Sequence, residues 1–105
     1  MLFFLALTLA SSSAPSGDLV INLDMSADYP TQARRNGWQG DVTAELSFDA
    51  NGRVSSCRVV KSSNYPVLDE GTCDLLKQRA RFKTKDKQGA EGTVVTPLIS
   101  WRLSN

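Results

Sequence analysis

Two cysteines, Cys57 and Cys73, are the first residues of this chain whose type could do chemistry. A thiol pair can bridge, hold a metal or shuttle electrons, and spacing separates these roles. The pair stands as Cys-x15-Cys, without the Cys-x-x-Cys of a redox motif. The chain has no histidine, so a two-thiolate zinc site would lack its remaining ligands. That leaves a structural disulfide or two unpaired, buried small hydrophobes. An even cysteine count favours the bridge if the chain is exported to an oxidising compartment. Closing a loop of that size would stabilise the fold by about 3 kcal/mol in the chain-entropy picture. Asp69-Glu70 is the one adjacent carboxylate pair. On a helix the two would diverge by about 100°, and Asp69 has a simpler role as a negative charge in a helix's first turn. Acid–base and nucleophilic catalysis usually rest on histidine, a low-pKa thiol or a positioned carboxylate pair. The reading is therefore not an enzyme, with no cofactor, metal or small-molecule substrate.

Charge adds little. The 12 basic and 11 acidic residues leave a formal net charge of +1, so neither nucleic acid nor an anionic membrane surface is demanded. The cations Lys77, Arg79, Arg81, Lys83, Lys85 and Lys87 crowd into one segment. They read as a solvated helix end, where cations suit the helix dipole, with an acidic partner as the other reading. Met1 to Ala10 is apolar and far shorter than the roughly 20 residues that span a bilayer. It has the length of a signal-peptide core, and Ser12-Ser13-Ala14 supplies small residues for cleavage. Residues 1–14 are thus expected to be a signal peptide and the chain periplasmic, unless the true start lies upstream and includes an inner-membrane anchor.

The elements that must place the cysteines can be read from pattern. In the segment 15–28, Leu19 to Leu23 is a short apolar run, either an extra strand or a segment lying on the domain. Pro15 to Gly17 is a polar start. Tyr29 to Gly37 reads as a two-turn helix, with Pro30 at its start and Gly37 at its left-handed exit. Val42, Ala44, Leu46 and Phe48 alternate with Thr43, Glu45, Ser47 and Asp49, which predicts a strand with one buried face. Asn51-Gly52 predicts a hairpin, since both residues tolerate positive φ. The return strand, about Arg53 to Lys61, needs a bulge near Ser55-Ser56 to put Cys57 and Val59 inward. A second helix is predicted over about Val67 to Ala80, with Leu68, Thr72, Leu75, Leu76 and Arg79 at helical spacing and Arg81-Phe82 closing it. Packed on the hairpin, this helix would bring Cys73 over Cys57. Gly71 inside it weakens it by up to about 1 kcal/mol, and suggests close approach of helix and sheet. After a polar connection from Lys83 to Gly92, Thr93, Val95, Pro97, Ile99, Trp101 and Leu103 alternate with their neighbours in a last strand. Pro97 cannot donate to a ladder, so that strand belongs at an edge or carries a bulge. Trp101 then has inward, core parity. Trp38 either caps one end of the sheet or contacts a partner. The fold class is α+β, in the order α-β-β-α-β: a three-stranded, mostly antiparallel sheet with both helices on one face.

Residues 29–105 read as one domain. Across about three quarters of the chain, Tyr29-Pro30, Ala33, Gly37, Gly40, Val42, Gly52-Arg53-Val54, Ser62-Ser63, Leu68-Asp69, Arg81-Phe82, Gly89, Pro97 and Trp101 stand in an ordered series. That series resembles the C-terminal domain of TonB-family energy transducers. The Cys57/Cys73 pair is similar to a subgroup with one cysteine on the second strand and one in the second helix. The resemblance implies a periplasmic module that binds the N-proximal box peptide of an outer-membrane transporter as an added strand, through main-chain hydrogen bonds. It places that edge on Thr93 to Leu103, with Val94, Val95, Thr96, Leu98, Ile99, Ser100, Trp101 and Arg102 as the binding residues. Trp101 and Arg102 would add side-chain contacts.

Two departures qualify the resemblance. The chain shows neither a spanning helix nor a proline-rich linker, which implies binding without force transduction. Thr84-Lys85 stand where Pro-Ala commonly follows Arg-Phe, which implies a changed loop. The alternative reading is a structural or regulatory domain whose edge is occupied by residues 19–23 or by a second copy in a homodimer. A third is an incomplete piece of a full transducer.

Overall fold

The computed structural model describes residues 17–84 and 92–103. The expected signal peptide, and the stretch of the polar connection bearing Lys85, Lys87 and Gly89, lie outside the described residues. The elements are β1 (Gly17–Val20), α1 (Thr31–Asn36), β2 (Gly40–Phe48), β3 (Val54–Lys61), α2 (Pro66–Arg79), β4 (Arg81–Thr84), β5 (Gly92–Val95) and β6 (Ile99–Trp101).

β2 is the central strand because its alternation lets it bury one face completely. Val42, Ala44, Leu46 and Phe48 are buried, and the residues between them are half-exposed. β3 pairs with one side of β2, antiparallel. β5 and β6 pair with the other side, β5 along Glu45–Phe48 and β6 along Gly40–Val42. The fold class is the one the pattern predicts, with the third strand split in two. The bulge in β3 falls where its parity requires it. Ser47 pairs with Ser56 and Phe48 with Val54, so Ser55 is the extra residue. A second extra residue, Val60, between the Ala44–Val59 and Thr43–Lys61 pairs, is not foreshadowed by the pattern.

The β2–β3 turn is built by Asp49. Its carboxylate accepts from the N–H groups of Asn51 (2.8 Å) and Arg53 (3.0 Å). Of the Asn51-Gly52 pair, only Gly52 takes a positive φ, 82°. A Cβ there would lie 2.2 Å from the Phe82 carbonyl oxygen. The reason is a docked neighbour: the Phe82 N–H donates to the Gly52 carbonyl at 2.8 Å.

That contact explains a correction. Arg81-Phe82 do not close the second helix; they open β4. α2 ends at Arg79, and Ala80 is already extended (ψ 140°). The Gly52 hydrogen bond and the packing of the buried Phe82 ring on Phe48, 5.4 Å between centroids, draw the chain out of the helix. β4 then pairs antiparallel with β1, Leu19 facing Phe82 and Val20 facing Arg81. Lys83 and Thr84 therefore belong to a strand rather than to the connection. Leu19-Val20 lie in this separate two-stranded sheet and not along the last strand. Ile21, Leu23 and Met25 continue as half-buried positions against the core. Asp28 fastens the end of this segment through its ion pair with Arg79 on α2.

α2 buries Leu68, Thr72 and Leu76 against the sheet. Cys73 sits over β3 and is bonded to Cys57, with 5.7 Å between their Cα atoms. Gly71 marks a close approach, but to Pro30 rather than to the sheet: an added Cβ would lie 3.0 Å from Pro30 Cγ. The core closes around fully buried Trp101. Its indole N–H donates to the Thr72 hydroxyl (2.8 Å), which donates to the Leu68 carbonyl (2.7 Å). The Tyr29 ring meets Trp101 edge-on at 5.3 Å. Trp101 thus takes the core role that its parity predicts.

Candidate peptide-docking edge

The eight residues expected to bind, from Val94 to Arg102, occupy one border of the main sheet but not as one continuous strand. β5 ends at Val95 and β6 begins at Ile99. The cause is visible at Thr96. Its N–H donates to the Ala44 carbonyl at 2.8 Å. In return, the Ala44 N–H donates to the Thr96 hydroxyl at 3.1 Å, not to the Thr96 carbonyl. A side chain therefore stands in for the main chain in the ladder, and the following Pro97 has no N–H to contribute.

The break also reverses the faces. Thr96, Ile99 and Trp101 are buried and Val94 is half-buried, while Thr93, Val95, Pro97, Leu98 and Ser100 are exposed. Unbroken alternation through Pro97 would have put Thr93, Val95 and Pro97 on the same face as Ile99 and Trp101. One extra residue between the Ala44–Thr96 contact and the Val42–Ile99 pair changes the parity. Trp101 is fully buried and has no side chain to offer at the border, and its main-chain groups, in register with Gly40, face β2. Arg102 is exposed, and its guanidinium pairs with Asp41 at 2.9 Å. The Leu103 N–H donates to the Gln39 side-chain oxygen at 2.8 Å. Together these tie the end of β6 to the start of β2.

Pairing leaves the far sides of β5 and β6 open: among the described residues, no strand pairs with them. The opposite border is less accommodating. β3 carries two irregularities, at Ser55 and Val60, and its approach is closed by the Arg53–Arg81 bridge. Bulges of this kind discourage edge-to-edge pairing.

The remaining singled-out residues serve the scaffold. Asp69, in the first turn of α2, ties the helix to the β3–α2 loop through its carboxylate. Burial pushes its carboxyl up, but the Ser62 hydroxyl and the Ser63 N–H (2.9 Å) and hydroxyl (2.8 Å) outweigh that and hold it below the usual range. Trp38 stacks on Tyr65 with ring centroids 5.1 Å apart, and its carbonyl accepts from the Tyr29 hydroxyl. Burial raises the Tyr29 phenol above its ordinary value. Lys77 and Arg79 do lie in the last turn of α2.

Comparison with known proteins matches this architecture. A family model described as the Gram-negative bacterial TonB protein C-terminal matches residues 25–103. "Protein tonB2" of Pseudomonas aeruginosa is 31% identical over 77 residues, which cover 73% of this chain and 28% of that protein. "Protein TonB" of Xanthomonas campestris pv. campestris is 37% identical over 71 residues, 67% of this chain and 32% of that protein. The solution NMR structure of the Pseudomonas aeruginosa TonB C-terminal domain superposes with a TM-score of 0.61 at 18% identity, covering 73% of this chain and 78% of that one. The chain belongs to the TonB C-terminal domain family, whose members are not enzymes. TonB C-terminal domains are periplasmic. The chain spans about a third of the length of the curated relatives it matches. No helix among the described residues is long and apolar enough to cross a membrane.

Proposed function

We infer that this domain works in the periplasm, where it docks an extended box peptide of an outer-membrane transporter along the β5–β6 border by strand addition. The main-chain groups there offer hydrogen bonds to any extended chain, so recognition needs no catalytic or cofactor chemistry. The carrying observation is the pairing of β1 with β4. Residues 17–20, which could have covered the border, are committed elsewhere, and among the described residues no other strand pairs with it. The Cys57–Cys73 bond fits an oxidising compartment. In a longer protein of this family, the same border would be the gripping end of a transducer. Titration of the labelled chain with box peptides tests the reading. Amide shifts confined to residues 93–103 are expected; an unchanged spectrum at millimolar peptide refutes it.

A further inference from the structure

The bulge that interrupts the border also decorates it. Thr96 and Ile99 are buried, while Pro97 and Leu98 between them are both exposed. A bulge sends two successive side chains to one face in this way. Val95 shares that face: its ladder partner is Glu45, which points away from the buried row Val42, Ala44, Leu46 and Phe48. An apolar strip of Val95, Pro97 and Leu98 therefore runs along the border on the side remote from the helices. Val95 is 54% exposed and Leu98 is 53% exposed. The hydroxyl residues Thr93 and Ser100 bound the strip. Among the described residues, the other two exposed large aliphatics, Val20 and Val60, lie on different strands.

The same residues carry the open main-chain groups. The Thr96 N–H faces β2, so strand alternation turns the N–H and C=O of Val95 outward. Pro97 then leaves a gap in the row of donors, and main-chain bonding alone would define register poorly. We propose that Val95 and Leu98 are the specificity-determining side chains of this border. They select an extended partner segment that carries aliphatic or β-branched side chains at alternate positions, on the face turned away from the helices. Directly opposed apolar side chains on neighbouring strands lie close enough to pack. The inference rests on the docking reading, since without an added strand the strip has nothing to select.

The test uses two short synthetic peptides, one alternating valine with threonine and a twin with serine in place of each valine. Both are titrated into the labelled, oxidised full chain. The valine peptide is expected to bind about tenfold more tightly, with shifts on Val94–Arg102. The double variant Val95→Ser, Leu98→Ser should lose that preference while its affinity for the serine peptide stays unchanged. Equal affinities for the unaltered chain overturn the inference and leave strand docking standing. Silence from both peptides overturns both readings. Concentration-dependent self-association that disappears in Leu98→Ser would make a second copy the occupant, and would likewise overturn it.

Discussion

The hydroxyl of Thr96 offers the sharpest single test of the structure. It accepts the Ala44 N–H at 3.1 Å in a buried part of the ladder, and Ala44 and Thr96 are 0% and 4% exposed. Thr96→Val keeps the shape but removes the acceptor, leaving a main-chain donor without a partner. Such an orphan costs about 1–3 kcal/mol. The extra buried methyl returns up to about 0.8 kcal/mol, so a net loss of about 1–2 kcal/mol is expected. For a domain of this size that lowers the melting temperature by roughly 4–16 °C. Urea denaturation of the oxidised protein measures the energy, and hydrogen exchange locates it: the Ala44 amide should lose protection well before its neighbours on β2. Thr96→Ser restores the acceptor and should recover most of the loss. A Thr96→Val protein within 0.5 kcal/mol of the parent, as an approximate threshold, with Ala44 still protected, would refute the claim that this hydroxyl completes the ladder.

Three further outcomes follow from the scaffold. Reducing the Cys57–Cys73 bond, or replacing both cysteines by serine, should lower stability by about 3 kcal/mol, read from urea midpoints with and without reductant. Gly52→Ala combines a positive φ with a Cβ 2.2 Å from the Phe82 carbonyl. It should destabilise by more than about 1 kcal/mol and make the β4 segment prone to proteolysis. Asp69 has a folded pKa below its ordinary 3.8, because the Ser62 and Ser63 hydrogen bonds outweigh its burial. Its contribution is fully present above the unfolded value and is lost as pH falls through the folded one. Stability should therefore decline below about pH 4, and Asp69→Asn should flatten that part of the profile.

Much of this architecture was legible because local pattern and tertiary need agreed. The alternation of β2, the parity conflict that demands a bulge before Cys57, and the placement of Cys73 on a helix above it all follow from spacing. The β1–β4 sheet did not, because nothing between Arg79 and Lys83 breaks a helix by itself. The Gly52–Phe82 hydrogen bond and the Phe48–Phe82 packing decide it, and both partners are remote in sequence. The edge position of the last strand is legible from Pro97, whereas unbroken alternation assigns the exposed Thr93 and Val95 of β5 to the inward parity. Val94-Val95 and Leu98-Ile99 put an aliphatic residue on each parity, so counting alone cannot see the extra residue. A threonine immediately before proline in a strand was the one available clue.

The bond between Cys57 and Cys73 also closes residues 57–73 into a covalent ring, which includes the connection from Lys61 to Pro66. A protease that cuts once inside this ring leaves a molecule one water heavier but still in one piece, with β2 and α2 on the same covalent body. Only reduction would release the halves. In a compartment rich in proteases, the staple thus protects continuity as well as stability.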